Sequence, residues 1–597
     1  MNAPLATSSE ARTIYDLLTD RVNTTPDNTA LYYSVNDHWK NISWKEYSNR
    51  IDAVAKALLG KGLNQGDKVA IIGRNSLDWF ISDMGIMTAG LVSVPIYETS
   101  SSDQIRYIIK HSSAKILFSE NSSYLDRILP IIEDTPSLES IVIQTGTVDE
   151  SDLIKSQVNF IANNDNLPSA ILDNARQSIQ PSTVAAFIYT SGTTGQPKAV
   201  MLTHQNTVAA CKNVYLRLKP EWQNNEKISC SYLPLSHVAE RVTSMFTPLL
   251  EGRSVYIVSD MARIMDAVKQ VHPTMWMGVP RIWEKIFEGV KDQVNDWPRL
   301  KKNIFNWAIK TGSQFNRTAQ DKTGISSILR LKHKLAQHLV ITPLLTSLGL
   351  ERVVISITGG APSRPEIENF FSSIGLRLLQ VYGQSEGYGT TSLATNSEFK
   401  AGSCGKPFPL VKIKIADDGE ILVHGNNVSP GYFKEPELTK QTFKDGWLRS
   451  GDLGRLDEDG HLWVTGRKKD IIITSGGKNI TPTKIENYLC ESDLVNYAVV
   501  IGDGRKYLTA ILDLNIDKTE LSNDENSDQH KINIESKISS HVKNVNEKLS
   551  RVEQIKKHHI LYNEFTLESG YLTNTMKLKR QSVLEKYEKE IIEMYED

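Results

Sequence analysis

Cysteine is scarce in this sequence: Cys211, Cys230, Cys404 and Cys490 are the only four in 597 residues. They lie far apart, at none of the paired spacings of zinc sites or disulfide frameworks, which fits a reducing compartment. An excess of one charge is lacking too, since 68 Lys and Arg stand against 70 Asp and Glu. That balance argues against a nucleic-acid partner and requires any basic patch to be local. Long apolar runs are missing as well, and none approaches the roughly 18 residues of a spanning helix. Residues 1–10 lack the basic and apolar blocks of a secretory signal. Together these absences predict a cytoplasmic protein that at most lies on a membrane.

What is present is length, and 597 residues exceed one hydrophobic core, suggesting about three or four structural units. From 13 to about 178, helical periodicity (44–59) alternates with short apolar runs (68–72, 91–96, 114–118), which reads as α/β. A strand at 184–189 enters a loop rich in Gly, Ser and Thr and leaves it into a second apolar run at 199–202, so the loop joins strand to strand. Residues 297–350 are rich in Lys, Arg and His with apolar residues at helical spacing, predicting amphipathic helices with one basic face. Short strands recur from 353 to 463. The charged run 466–470 then marks the main boundary, and the strands expected at 471–474, 498–501 and 509–514 belong to a small α+β unit with a polar stretch at 517–533. No internal repeat is visible.

The loop Thr190-Ser191-Gly192-Thr193-Thr194-Gly195-Gln196-Pro197-Lys198 has what a polyphosphate needs. Glycine admits close backbone N–H groups, hydroxyls donate, and a lysine supplies charge. Composition alone leaves it open between such a cradle and a flexible hairpin turn. It is not a Walker A loop, because the Gly-x-x-x-x-Gly-Lys-Ser/Thr spacing is absent and no helix follows directly. Glu386, just beyond a glycine turn, is a hard oxygen ligand suited to Mg²⁺, or else an ordinary surface acid.

These nine residues resemble the Ser-Gly-Thr-Thr-Gly-x-Pro-Lys signature of the adenylate-forming superfamily, which includes acyl-CoA synthetases, luciferases and peptide-synthetase adenylation domains. Further segments match that superfamily in order: 233–241, 358–362, 382–386, 450–452, 466–467 and 572–577. The resemblance covers most of the chain. It implies an α/β adenylate-forming fold. A large N-terminal adenylation domain, 1–467, would hold α/β subdomains plus a β-barrel-like subdomain, and a small mobile α+β C-terminal domain, 468–597, would carry the catalytic lysine.

By the same resemblance, the loop Thr190 to Lys198 and Glu386 hold Mg·ATP, with Glu386 as the metal ligand. Tyr382 stacks on adenine, Gly360, Ala361 and Pro362 line the base pocket, and Gly383, Gln384 and Ser385 complete that loop. Asp452 accepts hydrogen bonds from the ribose hydroxyls, and Arg467 follows it at the domain junction. Lys577 is the catalytic cation, aimed at the α-phosphate and carboxylate; outside the motif it would be one of a solvated basic cluster with Lys579 and Arg580. Lys469 is the hinge about which relatives swap Lys577 for a thiol-delivering face. Gly477 would flank the pantetheine tunnel, with a structural turn as the competing reading. Two departures are visible: Asn574 stands where many relatives carry proline, and Ser385 where threonine is common.

Segments 233–241 and 278–285 resemble those of long-chain and very-long-chain acyl-CoA synthetases, including the bubblegum type, as does the helical insert. His237 is therefore expected near the acyl carboxylate or tunnel entrance, and Gly278 in the acyl site. The implied activity is a long-chain fatty acid:CoA ligase using ATP, Mg²⁺ and coenzyme A through acyl-AMP. One alternative is an acyl-acyl-carrier-protein synthetase with the same first step; others are a non-catalytic lipid-binding or scaffolding protein and a luciferase-like oxidoreductase. The basic face of 297–350 would rest on anionic lipid, or be merely solvated.

Overall fold

The computed structural model describes residues 11–164, 167–190, 196–222, 225–320, 324–361, 363–515, 528–566, 569–573 and 578–596. Two large sheets form the body, both with parallel strands at their centre. The first has seven strands, in spatial order Ile154–Ser156, Ser140–Ile143, Ile116–Ser119, Lys68–Ile72, Val92–Ile96, Val184–Thr190 and Lys198–Thr203. Parallel strands need crossovers that cover the sheet faces, so they read as unbroken apolar runs, and every residue of Val92–Ile96 is buried. The crossover helix Leu77–Thr88 is buried at every residue but Asp78 and starts where Ser76 accepts from the Trp79 N–H at 3.1 Å. Only the last strand runs antiparallel, returning from the loop expected to join two strands, with Thr190 opposite Lys198.

The second sheet has nine strands: Lys406–Pro407, Ser392–Leu393, Leu378–Tyr382, Ile355–Gly359, Met275–Gly278, Ile228–Ser231, Ser254–Ile257, Thr29–Val35 and His38–Ser43. Met275–Gly278, Ile355–Gly359 and Leu378–Tyr382 are parallel neighbours, with Gly278 opposite Thr358 and Gly359 opposite Val381. Three motif segments spread over about a hundred residues of chain therefore end side by side. Open α/β sheets bind ligands at that carboxyl edge.

A five-stranded antiparallel sheet follows. Val411–Ile415 pairs with Glu420–Gly425, which pairs with Trp447–Leu456, and that strand also carries Phe443–Lys444 and Leu462–Arg467. This sheet lies within 1–467, the part of the chain expected to include a β-barrel-like subdomain. After the short turn Lys468–Asp470 come a two-stranded hairpin, Ile472–Ile473 with Asn479–Ile480, and a three-stranded sheet, Val495–Ile501, Leu508–Leu514 and Ile555–Tyr562, packed with the helices Pro482–Leu489 and Asp528–Glu547. Its core is separate from those of the two large sheets. Arg364 ties this part to the body, donating to the Cys490 carbonyl at 2.9 Å and pairing with Glu284 at 3.0 Å.

The insert folds as the helices Arg299–Gln320, Ser327–Ala336 and Thr342–Leu348, the last two joined by a π-helical turn, Gln337–Ile341. Arg299–Gln320 lies hard against Pro365–Ser373: a Cβ on Gly312 would sit 1.9 Å from the Ser373 carbonyl oxygen, so only glycine permits the contact. The exposed side of the insert carries the expected Lys and Arg, and Ile and Leu side chains share it with them. Among the described residues, no helix is long and apolar enough to cross a membrane.

Candidate active site at the carboxyl edge of the second sheet

Tyr382 ends its strand and opens the turn 382–386. The turn is tight because Gly383 lies against Gly389: a Cβ on Gly383 would fall 2.3 Å from the Gly389 carbonyl carbon, which no other residue tolerates. The fully buried Asn427 clamps it from outside, donating to the carbonyls of Gly387 at 2.8 Å and Thr390 at 3.0 Å. The Ser429 N–H donates to the Glu386 carbonyl at 2.8 Å. Two clusters are held at the two ends of this turn.

At one end, the Tyr382 hydroxyl donates to Asp452 Oδ2 at 2.7 Å and Arg467 Nε donates to Asp452 Oδ1 at 3.1 Å. The pairing of Asp452 with Arg467 follows from strand register, since the two residues sit opposite each other on neighbouring antiparallel strands. Burial, and then the Asp452 charge, push the Tyr382 phenol well above its ordinary range, so it remains a donor. Each carboxylate oxygen has two lone-pair sites, so Asp452 can still accept from a diol while holding both partners. Arg467 keeps about half of its side chain exposed, at 53%.

At the other end, Glu386 Oε1 accepts from the buried Tyr432 hydroxyl at 2.8 Å. Lys198 Nζ lies 5.8 Å from the centroid of the same tyrosine ring, a cation–π distance. Burial first, and then the Glu386 charge, raise the Tyr432 phenol. A carboxylate held on one oxygen presents its other lone pairs as hard ligands, which fits Mg²⁺ and the donor set it prefers. Sequence reasoning missed Tyr432. Its only signal was a tyrosine after Gly431, and nothing along the chain links it to an acid 46 residues earlier.

Thr190 and Lys198 close the base of the loop 190–198 as register partners. Gly360 and Ala361 follow the strand Ile355–Gly359, exposed at the same edge. Gln384 caps the short turn Ser385–Gly387, accepting from the Gly387 and Gly389 N–H groups through its carbonyl, while its side-chain Nε2 is buried without a partner. The expected residues Ser191, Gly192, Thr193, Thr194, Gly195, Pro362 and Lys577, with the departure Asn574, lie outside the described residues.

The residues expected on the acyl side sit as follows. Gly278 ends its strand with its carbonyl accepting from Trp283 Nε1 at 3.1 Å, and a Cβ there would crowd that indole at 2.8 Å. His237 Nδ1 accepts from the Ala239 N–H at 3.2 Å, capping the short turn Val238–Glu240. Arg241, the last residue of that motif, faces the core: it forms a two-pronged ion pair with Asp83, and neither side chain is exposed. Beside it, burial lifts the Glu240 carboxyl to about 7, against the opposing pull of the Ser231 and Ser244 hydroxyls. Lys469 lies exposed in the turn Lys468–Asp470, next to Lys468, which is anchored to Asp418 at 2.6 Å and Glu420 at 3.2 Å. Gly477 turns the hairpin beyond it, with φ of +71° and its N–H donating to the Thr474 carbonyl at 2.8 Å.

Comparison with known proteins gives the family. The AMP-binding enzyme family matches residues 18–433, and the AMP-binding enzyme C-terminal domain matches 469–597. The long-chain-fatty-acid–CoA ligase FadD15 of Mycobacterium bovis is 33% identical over 96% of this chain and 95% of its own length. The human long-chain-fatty-acid–CoA ligase ACSBG1 is 30% identical over 98% of this chain and 85% of its own. Among solved structures, the adenylation domain of a carboxylate reductase from Mycobacterium chelonae superimposes with a TM-score of 0.77 at 22% identity, covering 99% of this chain and 93% of that one. o-Succinylbenzoate CoA synthetase of Bacillus subtilis, in complex with ATP and magnesium ion, gives 0.65 at 21%, covering 95% and 98%. The chain belongs to the AMP-binding enzyme family, among its long-chain-fatty-acid–CoA ligases.

Proposed function

We infer that this protein is an ATP-dependent long-chain fatty acid:CoA ligase. The observation that carries the reading is the turn 382–386, which holds a Tyr382–Asp452–Arg467 cluster at one end and a Glu386–Tyr432–Lys198 cluster at the other. In this reading Asp452 takes the ribose hydroxyls, with Tyr382 at the base, beside Gly360, Ala361 and Pro362. Thr190 to Lys198 takes the phosphates. Glu386 would hold Mg²⁺, whose charge offsets that of the phosphates when bound.

In the first step a carboxylate oxygen attacks the α-phosphorus, the bond to the pyrophosphate oxygen breaks, and acyl-AMP and pyrophosphate form. Positioning supplies much of the acceleration, and Lys577, Arg467 and the hydroxyl of Thr190 stabilise charge as it develops. In the second step the sulfur of coenzyme A attacks the acyl carbon and gives up its proton, AMP departs, and a thioester forms. No cysteine of the chain needs a catalytic role. Cys211, Cys230 and Cys404 are buried, and burial pushes their thiols up, so all three stay protonated and unreactive.

The domains divide at 467/468. The small one turns about Lys469 and brings the Gly477 hairpin to the pantetheine. Peripheral contact with a cytoplasmic membrane surface, through 297–350, belongs to the same reading. The test is AMP release from Mg·ATP across acids of short to very long chain, with and without coenzyme A, and with Lys577→Ala as control. Release that requires coenzyme A, peaks with long chains and collapses in the variant supports the ligase. Turnover only with a holo-carrier protein replaces the acceptor, and no pyrophosphate exchange with any acid refutes the assignment.

A further inference from the structure

Residues 297–350 hold nine Lys and Arg and a single acid, Asp321, in a chain whose net charge is −2. Their exposed side is also apolar. Along the continuous helical stretch that begins at Ser327, Ile328, Leu331, Leu335 and Leu339 are 70%, 62%, 47% and 58% exposed. Steps of three and four residues place them in one stripe, while Leu329, Ala336 and Ile341 face inward and are buried. Lys332 and Lys334 are exposed on the flanks of the stripe, and Arg330 is exposed further round the helix. Leu300 and Ile304, one turn apart on the preceding helix, are exposed as well. A lone surface leucine is ordinary. Here, however, six of the eighteen large apolar side chains exposed among the described residues fall in under a tenth of the chain, and a merely solvated face does not account for that.

We propose that this face docks on a bilayer containing anionic lipid, with the Ile328–Leu331–Leu335–Leu339 stripe seated at the boundary of headgroups and acyl chains and the flanking Lys332 and Lys334 on lipid phosphates. Charge selects this occupant. A second copy of the chain would set the same basic surface against itself in a two-fold interface, and a nucleic acid would leave the leucines in water. A bilayer with anionic headgroups satisfies both components of the face. The proposal rests on the fatty-acid reading for its purpose, because a long-chain acid partitions into such a bilayer and would be taken up there.

The test is co-sedimentation of the full-length chain with vesicles of phosphatidylcholine alone or with added phosphatidylglycerol, at low and high salt. Binding to the phosphatidylglycerol vesicles is expected to exceed that to neutral ones and to weaken with salt. Removing one cation should cost about fivefold, so Lys332→Glu/Lys334→Glu should lower partitioning by at least about twenty-fivefold. Leu331→Ser/Leu335→Ser, which changes only exposed side chains, should lower it comparably at either salt. Pyrophosphate exchange on detergent-dispersed acid should be unchanged in both variants, which shows that they fold. Vesicle binding that is indifferent to lipid charge, or unaffected by the leucine substitutions, overturns the proposal, as does self-association abolished by those substitutions without vesicle binding. Absent exchange in the wild type alongside the expected vesicle behaviour would instead sink the fatty-acid reading and leave the docking face standing.

Discussion

Replacing Tyr432 with Phe isolates one interaction in the candidate metal cluster. The substitution deletes the hydroxyl that donates to Glu386 Oε1 at 2.8 Å and leaves the ring, with its edge contact to Phe443 at 5.6 Å and its place beneath Lys198. The Glu386 backbone stays pinned by the Ser429 N–H, so only the carboxylate gains freedom. A hydrogen bond to a charged group contributes about 1.5–3 kcal/mol. Glu386 is partly solvent-exposed, which favours the lower end, about 1.5 kcal/mol, or roughly tenfold in an equilibrium constant. The assay is pyrophosphate exchange at saturating ATP and fatty acid while free Mg²⁺ is varied. Half-saturation should rise about tenfold, with the maximal rate at saturating Mg²⁺ largely kept. Combining the change with Glu386→Gln should add little, because the two residues act as one unit. An unchanged Mg²⁺ dependence, or full additivity in the double variant, would refute the argument that Tyr432 orients a metal-holding carboxylate.

Asp452→Asn keeps the size of the side chain but removes the charge paired with Arg467, and half-saturation by ATP should rise by about one to two orders of magnitude, consistent with the loss of charge-assisted hydrogen bonds. Lys577→Ala should reduce adenylation by about a hundredfold or more, while transfer from preformed acyl-AMP to coenzyme A, followed as thioester, changes far less; equal losses in both steps would contradict its role. Asp83→Ala strands the buried Arg241 charge and should destabilise the fold by about 3–5 kcal/mol, read as a lowered melting temperature. Glu240 gives a pH signature. The unfolded chain ionises it near 4.5 and the folded chain only at about 7, so between those values the fold retains a proton that the unfolded chain has shed. Stability therefore falls as pH rises through that window, by about 3 kcal/mol in all. Glu240→Gln should match wild type in denaturant melts at pH 5 and exceed it at pH 8; a gap that is the same at both would contradict this.

Much of the site was legible because motif residues are close in sequence and their chemistry is local. Glycine at 383 is forced by its contact with Gly389, and Glu386 follows in the same turn. The strand-to-strand connection around 190–198 could be read from two apolar runs on either side of a glycine-rich loop, and strand register then set Thr190 opposite Lys198. The helical insert was legible from periodicity, but which side of it would meet solvent was not. That depended on Gly312 packing against Ser373 and on the burial of Leu329, Ala336 and Ile341, and the exposed leucines emerged only from it.

Residue type and near-neighbour spacing were enough to set the α/β class, the adenylate-forming motifs and the charge imbalance of the insert. Tertiary structure alone decided which distant groups meet. Tyr382 and Asp452, 70 residues apart, and Glu386 and Tyr432 touch because parallel strands end together and an antiparallel sheet folds across their edge. Asp83 and Arg241 meet because both are shut in the core, where each charge needs the other. Contacts of this kind depend on register and packing, which no local pattern encodes.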